Sequence, residues 1–70
     1  MNVGDFVEVY YLADDGRKII LTIGLVICFG NDTTGEDLIF VLKCNGEIEE
    51  YSMNINQIKF NIISESEIYD

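Results

Sequence analysis

The chain has 70 residues, thirteen acidic against four basic, with a formal net charge of −9 and no histidine, tryptophan or proline. That length allows a single domain, and an apolar fraction of 49% is too high for a disordered chain. Without imidazole it lacks the commonest general base and metal ligand, and an anionic surface of this strength repels nucleic-acid phosphates.

Eleven isoleucines, four phenylalanines and four tyrosines favour strands over helices. Gly4-Asp5 opens a first strand, Phe6 to Leu12, with Val7, Val9 and Tyr11 on one face and Phe6, Glu8 and Tyr10 on the other. Asp15-Gly16 marks a tight turn within residues 13–18. A long second strand follows from Ile19 to Phe29, and Gly24 inside it marks a bulge or bend. Strict alternation puts Ile19, Leu21, Ile23, Leu25, Ile27 and Phe29 on one face, and Ile20, Thr22, Val26 and Cys28 on the other. Both faces are apolar, whereas a half-buried antiparallel strand alternates with polar residues. After a polar loop, Gly30 to Asp37, comes a third strand from Leu38 to Cys44.

Asn45-Gly46 predicts a two-residue type I′ turn. That register pairs Cys44 with Glu47, Leu42 with Glu49 and Phe40 with Tyr51. It sets Phe40, Leu42, Tyr51 and Met53 on one face, and Ile39, Val41 and Ile48 on the other. Asn54 to Ile58 reads as a short helical turn, and Lys59 to Ile63 as the last strand. The domain spans residues 1–63, and residues 64–70 form an acidic tail expected to fray. The uncharged run from Ile19 to Asn31 is too short and too interrupted to span a bilayer. No basic, apolar leader precedes Phe6, so the expected compartment is the cytoplasm and no membrane partner is expected.

Cys28 and Cys44 fit a reducing compartment. The expected pairing holds them roughly 16 Å apart, too far for a disulfide, and both read as apolar packing residues. Asn31-Asp32 with Glu36-Asp37 lacks the alternating ligand spacing of a calcium loop and reads as turn geometry. No metal or cofactor is expected.

Gly4-Asp5-Phe6-Val7-Glu8-Val9, Ile23-Gly24-Leu25-Val26, Phe40-Val41-Leu42 with Asn45-Gly46, and Ile55-Asn56-Gln57-Ile58 together resemble the small Src-homology-3-like barrel in its Tudor or KOW style. The resemblance covers residues 3–63 and implies an all-β, five-stranded antiparallel barrel; it specifies architecture rather than activity. Peptide-binding members of that class use an aromatic groove with a tryptophan, and nucleic-acid-binding members present basic loops. This chain has neither. Tyr10, Tyr11, Tyr51 and Phe60 are the aromatic residues available for a methyl-lysine cage, but strand positions suit them to the core.

The expected activity is therefore non-enzymatic. Three acidic groups, Asp14 and Asp15, then Glu47, Glu49 and Glu50, then Glu65 and Glu67, point to a basic protein partner such as a DNA-binding cleft. Small size, isoleucine and asparagine content and acidity together suggest a phage or mobile-element inhibitor, loosely a DNA mimic. The alternative is an assembly subunit that forms a homodimer or larger oligomer through an apolar face of Ile20, Ile39, Val41 and Ile48, its charge serving solubility alone. Direct nucleic-acid binding is not expected, since Arg17, Lys18 and Lys43 are too few.

Overall fold

β-Branched and aromatic residues dominate five stretches of the chain, and each is a strand in the computed structural model, which describes residues 1–65. The strands are β1 (Phe6–Leu12), β2 (Lys18–Asn31), β3 (Asp37–Lys43), β4 (Ile48–Ser52) and β5 (Ile58–Ser64). All pairings are antiparallel, in one sheet of order β4-β3-β2-β1-β5. The all-β expectation holds. The helical turn expected over residues 54–58 does not: that segment is a pair of turns with one short-range bond, from the Ile58 N–H to the Ile55 carbonyl at 3.1 Å.

The long second strand works as two strands joined at Gly24. Residues 18–25 pair with β1 and residues 24–31 with β3, so the two ladders overlap only at Gly24 and Leu25. A Cβ on Gly24 would lie 2.3 Å from the Leu42 carbonyl oxygen and 2.7 Å from Val41 Cγ1. No larger residue lets β3 come this close, which is why the bend sits at a glycine.

Two bulges in β2 undo strict alternation. Val9 opposes Thr22 and Tyr10 opposes Ile20, leaving Leu21 unopposed; Val26 opposes Val41 and Cys28 opposes Phe40, leaving Ile27 unopposed. Each extra residue shifts the phase by one. Since opposed residues share a face, Thr22, Gly24, Val26 and Phe29 lie on the inner side, while Ile20, Ile23, Leu25 and Cys28 lie on the outer side.

Val7, Val9, Val26, Ile39 and Val41 form the buried centre, with Tyr51, Ile58 and Phe60 packed against it. A flat sheet would hold β4 and β5 about 19 Å apart, four strand spacings. Instead the Tyr51 and Phe60 rings meet edge to face, with centroids 6.4 Å apart and planes at 77°. The sheet is therefore strongly curled around its apolar centre. Among the described residues no ladder joins β4 to β5, and the sheet remains open.

The β3–β4 hairpin differs from expectation by one residue. Leu42 opposes Ile48, Val41 opposes Glu49 and Ile39 opposes Tyr51. Gly46 has φ of 90° and among the described residues no non-glycine residue has positive φ, so Asn45 does not take the type I′ conformation. The loop is Cys44-Asn45-Gly46: the Gly46 N–H reaches the Lys43 carbonyl at 3.0 Å and the Lys43 N–H reaches the Glu47 carbonyl at 2.8 Å. A type I turn followed by a left-handed glycine has this pattern. Asp14-Asp15-Gly16 and Thr33-Thr34-Gly35 repeat it, with the same two bonds and φ of 89° and 86°. The one-residue slip exchanges faces. Ile39 and Val41, expected on an outward oligomer face, are 0% exposed inside the core, whereas Ile20 and Ile48 do point outward.

Candidate partner-binding surface

Asp14, Asp15, Asp32, Glu36 and Glu47 lie in or directly beside the three glycine turns, and local geometry explains how the turn acids are held. In the first, Asp15 accepts from the Arg17 backbone N–H at 3.0 Å and from Arg17 Nε at 2.7 Å, while Asp14 Oδ1 accepts from Gln57 Nε2 at 3.4 Å. In the second, Asp32 Oδ1 accepts from the Thr34 N–H at 2.8 Å, Thr34 Oγ1 at 2.6 Å and the Glu36 N–H at 3.0 Å. The Thr34 hydroxyl, then the Glu36 N–H, hold the Asp32 carboxyl below its ordinary range. Asn31 Nδ2 donates to Asp37 Oδ1 at 3.0 Å, so this loop's acids serve the turn itself. In the third, Asn45 accepts from the Glu47 N–H at 3.0 Å and donates to Glu47 Oε1 at 3.2 Å.

Glu47, Glu49 and Glu50 do not form one row. Glu49 opposes Val41 on the inner side, where Tyr51 Oη and Lys43 Nζ, the latter at 3.3 Å, both donate to it. The tyrosine hydroxyl first, then the lysine, pull the Glu49 carboxyl down. Burial first, then Glu49, drives the Tyr51 phenol well above its ordinary value. Glu50 opposes Phe40 on the outer side and is exposed, as is Glu65 beyond the end of β5. Glu67 lies outside the described residues.

Cations are spent locally. Arg17 pairs with Asp15, Lys18 with the half-buried Glu8, and Lys43 with Glu49, accounting for three of the four basic residues. Lys18 Nζ also sits 4.5 Å from the Tyr10 ring centroid. The exposed remainder is predominantly anionic.

The acidic turns are spaced along β2. One enters β2 at Lys18, one hangs from Lys43 opposite Gly24, and one leaves after Asn31. Six and seven residues separate these stations, about 20 and 23 Å of strand path. Both separations exceed the screening length of about 8 Å at physiological salt, so the turns act as separate charges. Between them the sheet's outer side exposes Ile20, Ile23, Leu25, Phe6 and Ile48, with the Glu8–Lys18 pair beside Ile23. Sequence reasoning missed this surface because nothing in the chain marks Leu21 and Ile27 as bulged residues.

Cys28 and Cys44 are free and exposed, contrary to the packing role expected; Cys44 heads a turn rather than ending a strand. Among the described residues no pocket is present, no group of three or more acidic or thiol side chains is placed to hold a metal, and no helix is long and apolar enough to cross a membrane. What this surface offers chemically is separated carboxylates around an apolar sheet face. No protein-family model, curated protein or solved structure matches the chain.

Proposed function

We propose that this chain is a non-enzymatic, acidic protein-binding module that occupies a basic surface, such as the nucleic-acid-binding cleft of a host protein. The observation that carries the reading is the asymmetry of charge use. Three of four cations are neutralised by neighbouring carboxylates, while Asp14, Glu47 and Glu50 are exposed and form no ion pair among the described residues. Separated anionic points on a rigid sheet suit long-range steering of a cationic partner. In this reading the curled sheet is an open member of the Src-homology-3-like barrel class, the free cysteines belong to a reducing cytoplasm, and the small acidic chain is a phage or mobile-element inhibitor.

Exposed Ile20 and Ile48 favour a second reading, an assembly subunit that joins copies through the outer face. Capture from host lysate at about 0.1 M and about 1 M salt separates the two, because screening weakens charge-driven binding and leaves apolar burial intact. The first reading expects a basic protein retained only at low salt and displaced by DNA. A partner held equally at both concentrations and indifferent to DNA overturns it.

A further inference from the structure

We infer that the outward row Phe6, Leu25, Leu42 and Ile48 is the docking face for a basic protein, through an apolar strip of that protein with lysines or arginines at both ends. The inference rests on the basic-partner reading above and says where that partner's apolar contacts fall. Register lines the four residues up across four strands: Phe6 opposes Leu25, Leu25 opposes Leu42, and Leu42 opposes Ile48. Opposed residues share a face, and this face is the one turned away from Val7, Val26 and Val41. Phe6, Leu25 and Ile48 are 40%, 37% and 58% exposed, and Leu42 is half-buried. Three strand spacings make the row about 14 Å long.

The ends of the row decide what covers it. Ile48 lies between Glu47 and Glu49 in sequence, and Glu50, two residues on, shares its outward face. At the other end Phe6 opposes Ser64, which exposed Glu65 follows. The row is therefore apolar in the middle and carboxylate-flanked at both ends. A second copy laid across it, in either sense, sets carboxylates against carboxylates. The outer-face cations do not relieve this: Lys59 opposes Tyr10, four residues along β1 from Phe6 and about 13 Å away, and the Lys18 ammonium reaches back only to Glu8, whose carboxylate already pairs with it. A strip with cations at its ends complements the row in both charge and polarity.

The test uses the full chain and two synthetic helical peptides sharing an apolar stripe about 14 Å long, one flanked by lysines and one by glutamates. Backbone amide shifts locate the contact, and titration measures affinity for the wild type and for Leu25→Ser and Ile48→Ser. Ile48 is the more exposed position, so its variant keeps the test alive if Leu25→Ser unfolds. The expected result is lysine-peptide binding with shifts centred on Phe6, Leu25, Leu42 and Ile48. It should weaken at least tenfold in a folded variant and at least tenfold for the glutamate peptide. Equal binding of both peptides, unchanged binding to Ile48→Ser, no binding, or a self-dimer through this row in sedimentation overturns it. Salt-sensitive binding of the lysine peptide with shifts confined to the three turns overturns it too, yet leaves the basic-partner reading standing.

Discussion

Replacing Gly24 by alanine should be the most damaging single-methyl change in this protein. The added Cβ would meet the Leu42 carbonyl oxygen at 2.3 Å and Val41 Cγ1 at 2.7 Å, both inside any tolerable contact. Gly24 is not among the positive-φ glycines, so the penalty is steric rather than conformational. Carbonyl and core valine belong to the β3 ladder and cannot swing aside like the end of a long side chain. Overpacking of a tight site costs about 1–3 kcal/mol, and prising a ladder hydrogen bond apart adds about 1 kcal/mol. A total of about 3 kcal/mol is a large share of the roughly 3.5–10 kcal/mol expected for a domain of this length. At about 4–8 °C per kcal/mol, Tm should fall by about 12–24 °C. Gly30→Ala is the internal control: its Cβ would meet only the edge of the Phe40 ring, at 3.2 Å, and that ring can tilt. Thermal and urea unfolding followed by far-ultraviolet circular dichroism give both values. Gly24→Ala as stable as wild type, or no worse than Gly30→Ala, would refute the claim that this bend depends on close strand approach.

Three further outcomes follow from the same geometry. Gly46→Val should cost about 1–2 kcal/mol in urea unfolding, purely from forcing a side chain to φ of 90°, since nothing lies within 4 Å of the added Cβ; Gly46→Asn should cost less. Because the folded Glu49 carboxyl is held below its ordinary value of 4.5, it stabilises the fold above that pH and loses the contribution as pH falls through its lowered value. Glu49→Gln should accordingly flatten the acid limb of a stability–pH curve, and nuclear magnetic resonance titration of the wild-type carboxyl should report a depressed midpoint. Phe60→Ala should cost about 2–4 kcal/mol and loosen β5, read as faster amide exchange at Ile58–Ser64, because it removes the edge-to-face contact with Tyr51.

The strand inventory was legible because Val, Ile and aromatic runs are bounded by glycine turns; β1 falls on its expected residues from Phe6 to Leu12. Gly24 marks the bend in the sequence as a residue with no side chain to pack, whereas the close approach of β3 that requires glycine there is visible only in the structure. The faces were less legible, because period-two reasoning has no signal for a bulge. Leu21 and Ile27 look like ordinary strand residues, yet each shifts the phase of everything beyond it. Asn45-Gly46 is the signature of a two-residue turn, while the chain uses the three-residue form found in its other two hairpins. That one-residue difference sets Ile48 on the outward side with Leu42, apart from Ile39 and Val41, which lie in the core. The acidic clusters were visible as sequence, but turning Glu49 inward to Lys43 and Tyr51 depended on that same register.

Association kinetics with the basic partner recovered at low salt test the functional account most directly. The comparison is between wild type and a variant carrying Asp14→Asn, Asp15→Asn, Glu47→Gln and Glu50→Gln, which moves the formal charge from −9 by four units to −5. All four residues are exposed, so the variant should keep its fold. Steering by exposed charge raises association rates by about 10- to 1,000-fold, so the variant should associate at least about tenfold more slowly at low salt and respond less to added salt. Equal association rates for the two proteins across the salt series, with the variant folded, would contradict the account.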